Sequence, residues 1–89
     1  MTEIHLTIRN EDGMHARSAA KFVTIAARFK SHVFVSRDDL EVNGKSILGV
    51  LMLAAEGGSV IKVRAEGEDE REVIAALAEL VDARFGFEQ

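Results

Sequence analysis

Residues 3–26 read EIHLTIRNEDGMHARSAAKFVTIA and change their hydrophobic period halfway along. From Glu3 to Arg9 apolar residues alternate with polar ones, which predicts a strand with one face in water. Asn10–Gly13 has the composition of a turn. Apolar residues then recur at helical spacing, which predicts a helix from about Ala16 to Phe29. This stretch therefore predicts a strand, a turn and a helix that begins beside His15.

The rest of the chain repeats these patterns, with polar or glycine-containing turns between them. It predicts three further strands and two further helices: strands at Ser31–Ser36, Leu40–Val42 and Val60–Glu66, a short helix at Ile47–Ala55, and a last helix that opens with a capping box at Asp69–Glu72. The predicted order is β-α-β-β-α-β-α. We expect an α+β fold, a two-layer open-faced β-sandwich with a four-stranded antiparallel sheet and three helices on one face.

Length and composition limit the class of protein. With 89 residues, the chain is expected to form a single domain, residues 1–89, around one modest core. It contains no cysteine, which excludes disulfides and thiolate chemistry. The net charge of −4 argues against nucleic acid as a partner, because binding a phosphate backbone requires a dense basic stripe.

Targeting, membrane and cofactor signals are also missing from the sequence. No apolar run approaches the length of a transmembrane helix, so we expect no membrane insertion. Residues 1–5, MTEIH, lack the basic and apolar regions of a signal peptide, which favours a cytoplasmic protein. The scattered glycines form no phosphate-binding loop, and no spacing of His, Asp and Glu resembles a metal site. We therefore expect neither a cofactor nor a metal.

The strongest candidate for chemistry is His15, at the start of the first predicted helix. The first amides of a helix have no intrahelical partner and favour anions. Arg17 lies in the same turn, where its guanidinium can close on the same anion. Because imidazole is nucleophilic near neutral pH, His15 is a candidate phosphoryl acceptor. A plain helix cap is the alternative role for this residue.

The short apolar helix after Ser46 is a candidate docking surface. A helix on a small core buries one side only, and we expect that side to be Val50, Leu53 and Ala54. The remaining large side chains predict an exposed apolar patch that binds partners, unless another segment covers it: Ile47, Leu48, Leu51 and Met52. Ser46 has the position of a helix cap, where a phosphate group is also electrostatically acceptable.

Three ring-bearing residues fall on the solvent side of the predicted strands. His5 and His32 have no neighbours that suggest chemistry, and we expect both to be surface residues. Phe34 shares this side, which is unusual for a large apolar residue, and the sequence alone suggests no function for it.

Taken with the elements around them, these motifs resemble those of HPr, the histidine-containing phosphocarrier family of the bacterial sugar phosphotransferase system. The resemblance covers nearly the whole chain. Three segments carry its most specific parts: Gly13–Arg17 (GMHAR), Lys45–Val50 (KSILGV) and Ala65–Glu70 (AEGEDE).

The resemblance implies a phosphoryl carrier rather than an enzyme. It implies that His15 is phosphorylated on Nδ1 by enzyme I, which uses phosphoenolpyruvate, and passes the group to IIA components of sugar permeases. It also implies that Arg17 attends the phosphate, and we expect Ala16 and Ser18 of the first helical turn to contribute to phosphate binding. Ser46 matches the serine that an HPr kinase/phosphorylase modifies in many bacteria, and a transcriptional regulator is a further candidate partner of that form.

We expect the partners to dock transiently on an apolar surface supplemented by a basic residue, in a chain that is itself a monomer. The residues of this predicted surface are Met14, Lys21, Ile47, Leu48, Leu51 and Met52.

The chain departs from the family at Ser18, where proline is usual. Serine restores a backbone N–H and adds a hydroxyl. Either group can donate to a phosphate, or change how the first turn presents His15.

Two other classes of function remain open from the sequence. One is a regulatory interaction protein that acts through phosphorylated Ser46. The other is a small-molecule-binding regulatory module of ferredoxin-like type, which shares the order β-α-β-β-α-β. Such a module does not need His15 and Arg17 at a helix entrance, so these two residues favour the phosphocarrier.

Overall fold

The computed structural model describes residues 1–87 and has the predicted order of elements. It contains four strands, three helices and a final 3-10 turn: β1 (Thr2–Thr7), α1 (Ala16–Ala26), β2 (His32–Arg37), β3 (Leu40–Asn43), α2 (Ile47–Met52), β4 (Val60–Glu66), α3 (Glu70–Asp82) and the turn Arg84–Gly86. The strands lie within one or two residues of their predicted bounds. Both α1 and α2 end three residues earlier than predicted.

The four strands form one antiparallel sheet in the order β1-β4-β2-β3. Val63 in β4 lies opposite Ile4 of β1 and opposite Val35 of β2, so apolar residues of neighbouring strands share a face. The alternating pattern of each strand places these side chains toward the helices. The predicted open-faced sandwich is confirmed.

The core lies between this sheet face and the helices. Its largest fully buried side chains come from both layers and include Phe22 of α1, Ile61 of β4, Leu77 of α3 and Phe85. Burial of each contributes about 1.5–3 kcal/mol. Phe85 reaches the core because the backbone turns back after α3: Arg84 and Phe85 adopt left-handed φ angles of 55° and 58°. This reversal brings Phe87 next to the start of α1.

α2 ends earlier than predicted, and one residue that we expected to be buried is therefore exposed. Val50 and Leu53 are buried, as expected, at 0% and 3% exposure. Ala54 is exposed, so its predicted burial is wrong, and Ala55 is buried instead. The reason is the left-handed φ of 49° at Ala54, which ends the helical path and rotates the next residue inward.

The start of α3 also differs from its predicted capping box. The Asp69 side chain makes no cap hydrogen bond to its own helix. Its carboxylate instead accepts from the Ser31 hydroxyl, from the Lys30 N–H at 2.8 Å and from the Ser31 N–H at 2.9 Å. These bonds, led by that of the Ser31 hydroxyl, lower the pKa of Asp69 to about 2. Asp69 thus ties the loop between α1 and β2 to α3.

Phe34 lies on the open face of the sheet, where neighbouring side chains cover part of its ring. The Arg64 guanidinium lies 4.4 Å from the centroid of the Phe34 ring and donates to Glu41 at 3.2 Å. The His32 ring stacks on the Phe34 ring, with 6.4 Å between their centroids. Phe34 is therefore half-covered by a cation and an imidazole rather than bare. His5 and His32 are exposed, as predicted.

Candidate functional site at the start of α1

The loop that carries His15 is fixed to the turn after α2. Gly13 has a φ of 71°, and a Cβ atom there would lie 2.3 Å from the Ala55 carbonyl oxygen, so only glycine fits. The next amide, that of Met14, donates to the same Ala55 oxygen at 2.7 Å. The buried Asn10 side chain donates to the Gly13 carbonyl at 2.7 Å. The backbone in front of His15 is therefore held on both sides.

Ser18 is fully buried beneath this loop. Its Oγ accepts a hydrogen bond from the His15 N–H at 2.9 Å. Its hydroxyl has two backbone acceptors, the Gly13 carbonyl at 3.0 Å and the His15 carbonyl at 3.2 Å. This hydroxyl is buried and bonded to the backbone, so it is not free to donate to a phosphate, and a contribution of the Ser18 N–H to phosphate binding stays a prediction. The serine in place of the usual proline holds the His15 loop instead.

His15 is the N-cap residue of α1, with an extended backbone at φ −120°. Its Nδ1 accepts a hydrogen bond from the Arg17 N–H at 3.2 Å. An accepting nitrogen carries a lone pair, so the proton of the neutral imidazole is on Nε2. Nε2 is buried and has no hydrogen-bond partner among residues 1–87. The ring therefore turns its nucleophilic nitrogen toward the open end of the helix.

The Arg17 side chain lies over the ring of Phe87. Its guanidinium carbon lies 4.3 Å from the centroid of the Phe87 ring. The same ring stacks on His15, with 5.7 Å between centroids and 17° between planes. Lys21 also lies over it, with Nζ at 4.8 Å, and donates to the Phe85 carbonyl at 2.8 Å. The sequence interpretation missed Phe87, because only the reversal after α3 brings it here.

The predicted docking residues do not all lie on the surface. Ile47, Leu48 and Met52 are 45%, 76% and 67% exposed and are called here the α2 patch. Leu51 is half-buried and packs against the core. Met14 is only 6% exposed, so its predicted place on a docking surface is wrong. The loop that carries His15 turns the Met14 side chain inward, where it packs in the core.

Ser46 caps α2, as predicted. Its Oγ accepts from the Gly49 N–H at 3.1 Å, and the residue is half-buried. Ile47, the first residue of the α2 patch, follows it directly. A charge placed on Ser46 would therefore enter the surroundings of this patch.

Two classes of site have no counterpart within residues 1–87. This part of the chain contains no group of three or more His, Asp or Glu side chains suited to a metal ion. It also contains no helix of the length and apolarity needed to cross a membrane.

Arg17 and the first amides of α1 together favour the binding of an anionic group beside His15. Arg17 is exposed on the first turn, and the amides of Ala16 and Arg17 are among those that a helix leaves without carbonyl partners. Their dipoles and the guanidinium charge stabilise negative charge next to Nδ1. A nucleophilic nitrogen beside such a site is suited to accept a phosphoryl group.

Comparisons with a family model, with curated proteins and with solved structures all point to the same family. A family model described as "PTS HPr component phosphorylation site" matches residues 2–83. A phosphocarrier protein HPr of Xylella fastidiosa is 48% identical over 85 residues, covering 96% of both chains. That of Neisseria meningitidis is 45% identical over 86 residues, covering 97% of both. The crystal structure of HPr-C-His from Thermoanaerobacter tengcongensis superposes with a TM-score of 0.96 at 45% identity, covering all of both chains.

Proposed function

The chain belongs to the HPr family of phosphocarriers of the phosphotransferase system, and we propose that its His15 accepts a phosphoryl group from enzyme I and passes it to IIA components of sugar permeases. The observation that carries this proposal is the hydrogen bond from the Arg17 N–H to Nδ1 of His15. This bond orients the Nδ1 lone pair toward the positive end of α1, where a phosphoryl group is stabilised.

The transfer step uses this lone pair. Nδ1 forms a bond to phosphorus while the bond between phosphorus and the donor residue of enzyme I breaks, and that electron pair returns to the donor. The Arg17 N–H loses its bond to Nδ1 and donates to a phosphoryl oxygen instead. The Arg17 guanidinium and the Ala16 N–H complete the set of donors. The return step, to a IIA component, runs the same exchange with the carrier as donor.

Docking of both partners is assigned to the α2 patch. Lys21, which lies over the Phe87 ring that stacks on His15, is assigned to the basic part of the same interface. Exposed apolar residues beside a charged site are typical of interfaces, in which a dry centre is surrounded by a polar rim. α1 and α2 pack against each other, which keeps the patch and His15 on neighbouring elements. The partners must leave quickly, so a small patch suits a carrier better than a large one.

The proposal is tested with enzyme I and labelled phosphoenolpyruvate. We expect one acid-labile, base-stable label per chain, lost in His15→Ala and retained in the controls His5→Ala and His32→Ala, whose side chains are exposed. Label that persists in His15→Ala, or its absence from the unaltered protein, would overturn the assignment. Transfer onward is followed by adding a IIA component, which should remove the label from the carrier.

Regulation through Ser46 is a second proposal, supported by its position as the cap of α2. A phosphate at a helix N-terminus is compatible with the fold and adds about −1.5 to −2 charges beside the α2 patch. We expect Ser46→Asp to slow transfer from enzyme I while Ser46→Ala does not. Equal rates for the two variants would contradict it. An HPr kinase/phosphorylase and a transcriptional regulator are the proposed partners for this form.

We further propose that residues 1–89 act as one cytoplasmic, monomeric domain. Light scattering at assay concentration tests the monomer, and a concentration-dependent mass would contradict it. Membership of the HPr family favours this carrier over a small-molecule-binding module.

A further inference from the structure

Phe87 lies where three groups of the His15 site meet. Its ring stacks nearly parallel on the imidazole, at 5.7 Å between centroids and 17° between planes. On the same ring lie the Arg17 guanidinium carbon at 4.3 Å and the Lys21 Nζ at 4.8 Å. The face of an aromatic ring attracts cations, so one half-buried side chain contacts the nucleophile and both nearby positive charges.

The fold itself places this ring. Arg84, Phe85 and Gly86 all have left-handed φ angles, and this rare succession reverses the chain after α3. Phe85 anchors the turn in the core at 0% exposure. Lys21 of α1 secures it from the other side by donating to the Phe85 carbonyl at 2.8 Å. Phe87 is therefore held against α1 by contacts on each side of the turn.

We propose that Phe87 is a positioning residue of the His15 site, which selects Nδ1 over Nε2 as the reactive nitrogen. The inference rests on the proposed role of His15 as phosphoryl acceptor. Stacking fixes the plane of the imidazole, and Nε2 is buried with no hydrogen-bond partner within the described chain. A phosphoryl donor can then approach only the nitrogen that faces the helix amides.

The same ring holds Arg17 ready beside the site. An exposed cation–π contact is weaker than a charge-assisted pair between guanidinium and phosphate. Once a phosphoryl group is on Nδ1, the guanidinium leaves the Phe87 ring and binds the phosphoryl oxygens. Before that, the ring keeps the positive charge close to the imidazole without covering Nδ1.

The experiment uses phosphoramidate, a small phosphoryl donor that needs no protein partner. The imidazole nitrogen forms a bond to phosphorus while the P–N bond of phosphoramidate breaks and ammonia leaves. The two phosphohistidine isomers are then distinguished by phosphorus and nitrogen NMR. The unaltered protein is compared with Phe87→Leu, which keeps apolar bulk but has no aromatic face, and with Phe87→Tyr, which keeps the ring.

We expect the unaltered protein and Phe87→Tyr to be phosphorylated on Nδ1 of His15, with ring-current shifts of the imidazole protons. In Phe87→Leu those shifts should vanish, and the Nε2 isomer should rise to an amount comparable with the Nδ1 isomer. Amide spectra of the sheet serve as the folding control, since the ring contacts given by His15, Arg17, Lys21 and Phe85 all lie outside β1 to β4. Reaction of Phe87→Leu at Nδ1 as selectively as the unaltered protein would overturn the inference.

A separate measurement distinguishes this inference from the proposed function. Labelling of the unaltered protein by enzyme I tests the carrier alone and does not involve Phe87 variants. If that labelling fails while Phe87→Leu still loses selectivity toward phosphoramidate, the carrier proposal is wrong and the positioning role is supported. If labelling succeeds and selectivity is unchanged in Phe87→Leu, the carrier stands and the positioning role is wrong.

Discussion

Nδ1 of His15 and the backbone N–H of Arg17 are joined by a hydrogen bond of 3.2 Å across the first turn of α1. Because Nδ1 accepts, the neutral ring is the Nε2–H tautomer. Nitrogen NMR of the neutral His15 ring should therefore show the proton on Nε2 and an unprotonated Nδ1. After phosphorylation the Arg17 amide proton should move downfield, since a phosphoryl oxygen is a stronger acceptor. A His15 ring protonated on Nδ1 in its neutral form would contradict the geometry.

Removal of the Ser18 hydroxyl should loosen the His15 loop. In Ser18→Ala the part-buried His15 N–H loses its acceptor, and the buried Gly13 carbonyl loses one of its donors. We expect a loss of about 1–3 kcal/mol in the free energy of unfolding. Urea unfolding followed by circular dichroism measures it. Ser36→Ala, on the half-buried open face, is the control and should change stability by less than about 0.5 kcal/mol.

Replacement of Gly13 should lower the free energy of unfolding more than replacement of Gly58, another glycine with a positive φ angle. Gly13 and Gly58 have φ angles of 71° and 90°, but a Cβ at Gly58 meets nothing within 4 Å. Gly58→Ala therefore carries backbone strain alone, about 1 kcal/mol. Gly13→Ala adds the contact with the Ala55 carbonyl and should lose clearly more. Equal unfolding free energies for the two variants would show that the loop shifts freely.

A charge in the α2 patch should affect partner binding without affecting the fold. Leu48 is 76% exposed, so Leu48→Asp should leave the melting temperature nearly unchanged. We expect the KM of enzyme I for this chain to rise about tenfold, as for loss of an interface contribution of about 1.4 kcal/mol. Leu40→Asp, at 40% exposure on β3, is the matched control. A similar KM for both variants would place docking elsewhere.

Acid should remove the stabilising contribution of Asp69. Its pKa is lowered to about 2 in the folded protein, from an ordinary 3.8, by bonds from the Ser31 hydroxyl and the Lys30 N–H. A lowered carboxyl pKa stabilises the fold above pH 3.8, and this contribution is lost as the pH falls through about 2. Asp69→Asn should reduce the slope of stability against pH in this window.

Glu70 contributes in the same window, because the Thr2 hydroxyl and the N-terminal amine lower its pKa to about 2. Asp69→Asn should therefore flatten the pH profile without abolishing its slope. Urea titrations between pH 5 and 2 measure both effects. Glu68→Gln, whose side chain is exposed, is the control and should follow the unaltered protein. A profile for Asp69→Asn parallel to that of the unaltered protein would contradict the assignment.

Local patterns were sufficient for the elements and for the candidate nucleophile. Alternation along β4 and the cap at Ser46 involve residues close in sequence, and both have the predicted form. The cap of α3 did not follow its local pattern. Asp69 and Glu72 have the spacing of a capping box, but Ser31 and Lys30, far away in the sequence, offer Asp69 three donors. Tertiary partners decided that contact.

The surroundings of His15 were predictable only in part. Arg17 follows from its position in the same helical turn. The inward turn of Met14 depends on its bond to Ala55, and the place of Phe87 depends on left-handed backbone at Arg84 and Phe85. Neither residue is glycine, so the sequence carries no ordinary signal for such a turn. Contacts of this kind become visible only once the chain is folded.

The hydrogen bond from Met14 to Ala55 also has a meaning for recognition. It joins the residue before His15 to the segment that leaves the α2 patch, so the nucleophile and the docking residues keep a set separation. In the proposed docking mode, each partner meets the two at the same spacing. Because the bond joins backbone atoms, we expect side-chain substitutions in the α2 patch to change partner affinity without changing this spacing.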